Sequence, residues 1–182
     1  ILVALTKLMT PILPHTSEEI WSYLKEEEDF VQLSEMPGYQ IYPNQEELLD
    51  MWVEFMSFRD QVHKALELAR DQKVIGKSFE AAVTVYANEP MMALFKALNT
   101  DIAQILIVSS FEVLPYDQRV EDAVVFDDLA ILVTKAEGEV CDRCRAVRTS
   151  VGTHPELPNL CTRCVDILHT YYPEAVAEGF ES

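Results

Sequence analysis

Four cysteines, Cys141, Cys144, Cys161 and Cys164, follow the pattern C-x2-C-x16-C-x2-C, and the other 178 residues contain none. A C-x2-C turn sets two thiolates on one side of a tight knuckle. Two such knuckles facing each other supply a closed tetrahedral shell for one Zn2+ per chain. Four protein ligands leave no open coordination position, so such a site holds structure and performs no metal catalysis. Two disulfides would need an oxidising compartment, and no secretory signal is legible. A redox pair needs only one C-x2-C. Zinc is therefore the reading of these residues. Four thiolates around Zn2+ carry a net charge of −2. Arg143, Arg145, Arg148 and Arg163 lie within or beside the knuckles and can offset it. His154, between the pairs and before Pro155, reads as an exposed loop histidine rather than a ligand.

A second group of basic residues lies upstream. Gln45 to about Gln72 reads as one long helix, with Leu48, Trp52, Phe55, Val62, Leu66 and Ala69 at 3–4 spacing. Asp60, Lys64, Glu67 and Asp71 line a solvated face. Arg59, His63 and Arg70 fall close together on the wheel, and Lys73 and Lys77 continue just beyond. Two readings stay open: a surface helix with balanced ion pairs, or a stripe that contacts phosphates.

The remaining elements must position these groups. Ile1 to Met9 has helical periodicity and stops at Thr10-Pro11. A second helix opens near Pro14-His15-Thr16, where Thr16 and Glu19 form a capping-box pattern. Glu26-Glu27-Glu28-Asp29 reads as a solvated turn, and Phe30 to Asn44 as an extended connection. Ala81 to Tyr86 is β-rich. Asn88-Glu89-Pro90 starts a helix through Asn99. Strands are expected at Ile105 to Val113 and Val124 to Thr134, the latter split at Asp127-Asp128. Glu137-Gly138 is a linker, and Val165 to Tyr172 a short helix stopped by Pro173. The expected class is α+β: a helical segment over 1–75, a small α/β unit over 76–136, and a four-cysteine finger with its C-terminal helix over 137–182.

Composition limits what such a chain does. The 182 residues are 49% hydrophobic and 25% charged, with 14 Lys and Arg against 31 Asp and Glu, a net charge of −17. A general nucleic-acid coat or an anionic-membrane binder needs diffuse positive charge, so both are excluded. No uncharged apolar run approaches the about 18 residues of a membrane span. The apolar start, Ile1 to Leu5, has no basic residue before it, and Lys7 and Pro11 interrupt it. With no initiator Met and a first residue inside an amphipathic helix, the sequence reads as a piece of a longer protein. Gly76-Lys77-Ser78 imitates the end of a phosphate-binding loop, but the required first glycine is Asp71 and no strand precedes it. No G-x-G-x-x-G or G-x-S-x-G occurs. No pair of carboxylates is singled out by spacing, so nothing argues for a catalytic centre.

Three segments together resemble the isoleucyl-tRNA synthetase family near its C-terminal end. Pro11-Ile12-Leu13-Pro14-His15-Thr16-Ser17-Glu18-Glu19-Ile20-Trp21 looks like a helix start in the anticodon-binding bundle of the class I synthetases for Ile, Val, Leu and Met. Arg59-x-x-Val62-x-x-Ala65-Leu66-Glu67-x-Ala69-Arg70-x-x-x-x-Ile75-Gly76-Lys77-Ser78 is similar to the long helix and turn of the Ile and Val enzymes. Cys141-Asp142-Arg143-Cys144 with Cys161-Thr162-Arg163-Cys164 looks like the zinc finger of bacterial isoleucyl enzymes.

The resemblance implies part of a cytoplasmic, monomeric ligase that joins isoleucine to tRNA(Ile) with ATP and Mg2+, both used only by a catalytic part whose ATP-binding motifs are not in this sequence. The editing domain is not here either. What remains would read the anticodon stem-loop, with Arg143, Arg145, Arg148 and Arg163 as first candidates for RNA contact. Arg59, His63, Arg70, Lys73 and Lys77 are second candidates. The family often has Trp directly after the second Cys, where this sequence has Arg145, which puts a base-stacking contact there in doubt. A DNA-repair glycosylase finger has similar spacing, but the 140 residues before the finger hold 10 basic and 25 acidic groups, which suits a DNA-scanning protein poorly. A zinc-ribbon adaptor for another protein is the third alternative.

Overall fold

The computed structural model describes residues 1–24, 26, 28–127 and 129–178, and no side-chain environment is given for Ala175, Ala177 and Glu178. Glu27 of the acidic run and Asp128 of the expected strand break lie outside the described residues. The chain forms two compact units, Ile1–Gln45 and Glu46–Ser182.

The first unit holds helices α1 (Leu2–Met9) and α2 (Pro14–Tyr23) and a single 3-10 turn at Val31–Leu33. Trp21 is buried at 3% exposure and donates its indole N–H to the Glu28 carbonyl at 2.7 Å. Lys7 lies over the Trp21 ring, 5.5 Å from its centroid. The expected capping box does not form. Pro14 itself opens the helix, because a first-turn position needs no N–H and Pro presets φ there. Thr16 is thereby inside the helix. Glu18 turns elsewhere: its carboxylate accepts the backbone N–H groups of Val31 at 3.1 Å and Gln32 at 3.4 Å.

In the second unit α3 (Gln45–Asp71) is the expected long helix. It buries Phe55, Phe58, Val62, Ala65, Leu66 and Ala69, whereas Leu48 is exposed. The helix ends in a Schellman motif, with Lys73 N–H on the Arg70 carbonyl and Val74 N–H on the Ala69 carbonyl, both at 2.9 Å. Lys73 takes the left-handed conformation (φ 61°) that glycine usually fills. The apolar face of α3 shares one core with a four-stranded sheet of β1 (Ala81–Ala87), β2 (Ser110–Pro115), β3 (Val124–Val125) and β4 (Leu129–Lys135), ordered β2-β1-β4-β3.

β1 runs parallel to β2, so their connection must cross over, and helices α4 (Glu89–Leu98) and α5 (Ile102–Leu106) fill it. β4 is antiparallel to both β1 and β3. Phe58, Phe95 and Phe111 pack edge to face with ring centroids 4.7–6.1 Å apart, tying α3, α4 and β2 together. Tyr86 and Ala130 anchor a smaller cluster with Ala123. Asn88 caps α4 as expected, accepting Met91 N–H at 3.1 Å.

One expectation fails locally, and another holds with an addition. Residues 105 and 106 belong to α5, not to a strand, because Asp101 caps a helix there by accepting Gln104 N–H at 3.2 Å. Ile107 then turns left-handed at φ 59° and the strand starts only at Ser110. At the other end, Pro173 does stop α6 (Thr162–Tyr171), but it occupies the first position of a further helix, α7 (Pro173–Glu178).

The finger opens with the hairpin β5 (Glu139–Val140) and β6 (Val147–Arg148). One residue shapes its turn and another joins it to the sheet side. Gly138 turns at φ 112°, where a Cβ would overlap the backbone of Arg148. Ser109, fully buried just before β2, donates its hydroxyl to the Phe79 carbonyl and accepts Val147 N–H at 2.7 Å. Its own N–H donates to the Ala81 carbonyl at 2.9 Å.

Ser109→Ala leaves the Val147 N–H and the Phe79 carbonyl buried without that partner, so denaturant unfolding should show a loss of about 1–3 kcal/mol. Gly138→Ala combines a disfavoured φ with a backbone overlap, and should lower the unfolding midpoint by an amount equivalent to at least about 1 kcal/mol.

Candidate metal centre and nucleic-acid interface

Cys141 sits at the end of β5 and Cys144 in the turn that follows. Arg145 N–H closes this knuckle on the Cys141 carbonyl at 2.8 Å, and Cys141 N–H reaches the Ala146 carbonyl at 2.9 Å. Arg145 pays for the tight turn with φ 64°, again a position that favours glycine. Cys161 is the N-terminal boundary residue of α6, and its carbonyl accepts Cys164 N–H at 2.9 Å and Val165 N–H at 3.0 Å. Asp142 N–H bonds the Asn159 carbonyl at 3.1 Å and so holds the first knuckle beside the approach to the second.

The four sulfur atoms lie within 4.8 Å of one another, with Cys144 and Cys161 Sγ 3.9 Å apart. Zn–S bonds of about 2.3 Å place tetrahedral sulfurs ~3.8 Å apart, so the donor set fits Zn2+ in both chemistry and size. Cys141, Cys161 and Cys164 are buried and Cys144 is partly exposed. No cysteine is paired in a disulfide.

The environment treats the thiols unequally. Burial alone would raise the Cys141 thiol, but the backbone N–H groups of Cys144, Cys161 and Arg143 outweigh it and bring Cys141 down to about 6. Cys161 N–H donates to the Cys141 sulfur at 3.3 Å. Burial pushes Cys164 up to about 12 despite the Arg143 guanidinium at its sulfur, and raises Cys161 as well. A cation at the centre is what allows all four sulfurs to carry charge together, and its binding releases their protons.

The arginines around the cluster differ in what they touch. Arg143 Nη1 donates to the Cys164 sulfur at 3.7 Å. Arg145 lies 3.6 Å from Asp142, with both side chains more than half exposed, an ion pair of little energetic weight. Arg148 is half-buried on β6 opposite Glu139, and Arg163 is exposed in the first turn of α6. On α3, Arg59 and His63 are half-buried one turn apart, whereas Arg70, Lys73 and Lys77 are exposed. Arg70 Nη2 donates to Ser78 Oγ at 3.0 Å, tying the helix end to the following turn.

His154 is outside the sulfur cluster. It is half-buried rather than exposed, its ring centroid 5.6 Å from that of His169 and its Nδ1 buried without a hydrogen-bond partner. The loop folds onto α6, which the sequence position before Pro155 does not reveal. Sequence reasoning also misses Ser109, whose partners lie 30 and 38 residues away. Among the described residues, no helix is long and apolar enough to cross a membrane.

Residues 1–85 match the model of the anticodon-binding domain of tRNA ligase, and residues 138–167 match that of the zinc finger found in FPG and IleRS. An isoleucine–tRNA ligase of Enterococcus faecalis is 62% identical over 180 residues, which cover 99% of this chain and 19% of that protein. Isoleucine–tRNA ligases of Streptococcus sanguinis and Lacticaseibacillus paracasei are 54% and 52% identical, over 100% and 99% of this chain and 20% of each relative. The chain thus spans about one fifth of the length of these curated relatives. The glycosylase and adaptor alternatives are not favoured, because the likeness to the ligases runs through the helices and the sheet as well as the finger. The anticodon-binding match, the four-sulfur finger and relatives aligned along nearly the entire chain lead to one conclusion: this chain belongs to the isoleucine–tRNA ligase family.

Proposed function

We propose that the chain is the tRNA-reading C-terminal region of a ligase that attaches isoleucine to tRNA(Ile) using ATP, working as a monomer in the cytoplasm. ATP, Mg2+ and isoleucine would be handled by a catalytic part outside these residues. The carrying observation is the four-sulfur cluster, joined through Ser109 to a sheet that shares its core with α3. That arrangement suits a rigid mount for an RNA-contacting finger. The proposed division of roles assigns 1–75 to the anticodon-binding helices, 76–136 to a junction and 137–182 to the finger. Since α3 packs with the sheet, the boundary at 75 is one of role and not of packing.

In this reading Cys141, Cys144, Cys161 and Cys164 hold one Zn2+. Folding of the finger is then largely the metal's binding energy. Anticodon bases are splayed and read on their edges while the stem is held through its phosphates. Arg145, with only a weak pair to give up, and the exposed Arg163 are well placed for phosphate, joined by Arg148 and Arg143. All four basic residues of the finger are Arg, whose planar fork matches phosphate better than Lys does. Arg59, His63, Arg70, Lys73 and Lys77 form the second candidate surface.

Metal analysis of the purified chain should return one zinc, and Cys161→Ser should lose it. The same variant should unfold the finger while α3 and the sheet keep their circular dichroism. A chain without zinc, or a disulfide between Cys141 and Cys144, would refute the metal assignment. In a ligase of full family length carrying this region, Arg145→Ala with Arg148→Ala should weaken tRNA(Ile) binding and flatten its salt dependence. Isoleucine activation measured without RNA should not change. Unaltered charging kinetics across a salt series would make these arginines structural.

A further inference from the structure

We infer that Arg143 is a positioning residue of the metal centre, locking the two cysteine knuckles together through a hydrogen bond from its guanidinium to the Cys164 sulfur. This rests on the zinc reading of the four cysteines and adds a role for a residue otherwise counted only as a possible RNA contact.

The two knuckles are far apart in sequence and are cross-linked in both directions. Arg143, from within the first, donates to the Cys164 sulfur of the second at 3.7 Å. Cys161, from the second, donates its backbone N–H to the Cys141 sulfur of the first at 3.3 Å. The Cys161 N–H donor of the second bond belongs to the backbone and is not set by the identity of residue 143. The Arg143 bond is the one that sequence controls.

The choice among the four arginines is set by geometry. Arg145 turns to Asp142. Arg148 lies on β6 and Arg163 on the outer surface of α6. Among the described residues no ion pair engages Arg143, and its recorded bond is to sulfur. Cys164 is fully buried, so its sulfur has no water to share its charge. A guanidinium donor there disperses thiolate charge and fixes the direction from which the sulfur meets a metal. Partners of this kind, bonded to a ligand rather than to the metal, typically control affinity by about 10–100-fold.

The test uses the 182-residue chain with Arg143→Gln, Arg143→Lys and, as a control, Arg145→Gln. Zinc affinity is read by competition with a chromophoric chelator, and the ligand field by the absorption of the Co2+-loaded protein. Arg143→Gln should bind zinc about 10-fold or more weakly. Its thiolate-to-Co2+ charge-transfer band should move to lower energy, because a sulfur that loses a donor gives up electrons more easily. Arg143→Lys keeps charge without the planar fork and should fall between Gln and the parent on both readouts. Arg145→Gln removes a positive charge but no bond to sulfur, so its affinity should fall far less than that of Arg143→Gln and its band should not move. Parent-like affinity and an unmoved band in both Arg143 variants would overturn the inference while leaving the zinc reading intact. If Arg143→Gln does not fold, Arg143→Lys decides by the same two readouts. A parent chain that takes up no zinc would overturn both readings together.

Discussion

Bringing four sulfur atoms within 4.8 Å of one another is the constraint on which the finger depends. The buried cluster there consists of Cys141, Cys161 and Cys164, with Cys144, Val151 and Leu160 against it. The few aliphatic side chains buried here, Ala146, Val147, Val165 and Leu168 beside Val151 and Leu160, are a small core for a segment of this length, so ligand bonds have to supply much of its stability. The sulfurs without a metal also oppose one another, since burial disfavours charge on Cys161 and Cys164. Shape and charge therefore call for the same cation.

The finger is not left to orient itself. Ser109 lies between β6 and the residues flanking β1, bonded to Phe79 and Val147, and its N–H to Ala81. One hydroxyl thereby transmits the position of the sheet to the hairpin that carries the first knuckle. The sheet is in turn fixed against α3 by Phe58, Phe95 and Phe111. Gly138 permits the hairpin to leave β4 at an angle that no side chain could occupy. From α3 to the sulfurs the path is continuous, and each link in it is a packed ring, a buried hydroxyl or a backbone bond.

What was legible in the sequence follows the range of the interactions. The cysteine site could be read because ligand type and spacing are local within each knuckle. The long helix showed in the 3–4 spacing of Phe55, Val62, Leu66 and Ala69, and β1 in its β-branched run. The misreading at Ile105 arose because an Ile-rich stretch favours a strand, while the Asp101 cap and the left-handed turn at Ile107 impose a helix. Lys73, Ile107 and Arg145 all take positive φ without being glycine, so no residue type announced those turns. Ser109 and Glu18 were hidden for another reason. Their partners are distant in the chain, and a lone Ser or Glu carries no sign of which backbone group it will meet. Among the four finger arginines, charge compensation was readable as a property of the group. Only the fold distinguishes the one that reaches sulfur.

In the proposed reading, the same arrangement bears on how so acidic a chain would meet a polyanionic partner. The region before the finger holds 25 acidic and 10 basic groups, whereas the segment from Cys141 to Val165 holds four Arg against Asp142 and Glu156. At physiological ionic strength a charge acts over about 8 Å, so an approaching phosphate responds to the groups nearest it, such as Arg148 and the Glu139 opposite it, rather than to the net charge of the chain. Zinc with four thiolates takes back the finger's excess of two positive charges, leaving it near neutral rather than basic. An RNA bound as proposed would gain energy chiefly where individual guanidinium groups meet phosphates at hydrogen-bond distance. Affinity would then depend on geometry more than on net charge, and the proposal gives the finger's rigid mounting its purpose. A finger free to rotate would lose those few contacts and have no general attraction to fall back on.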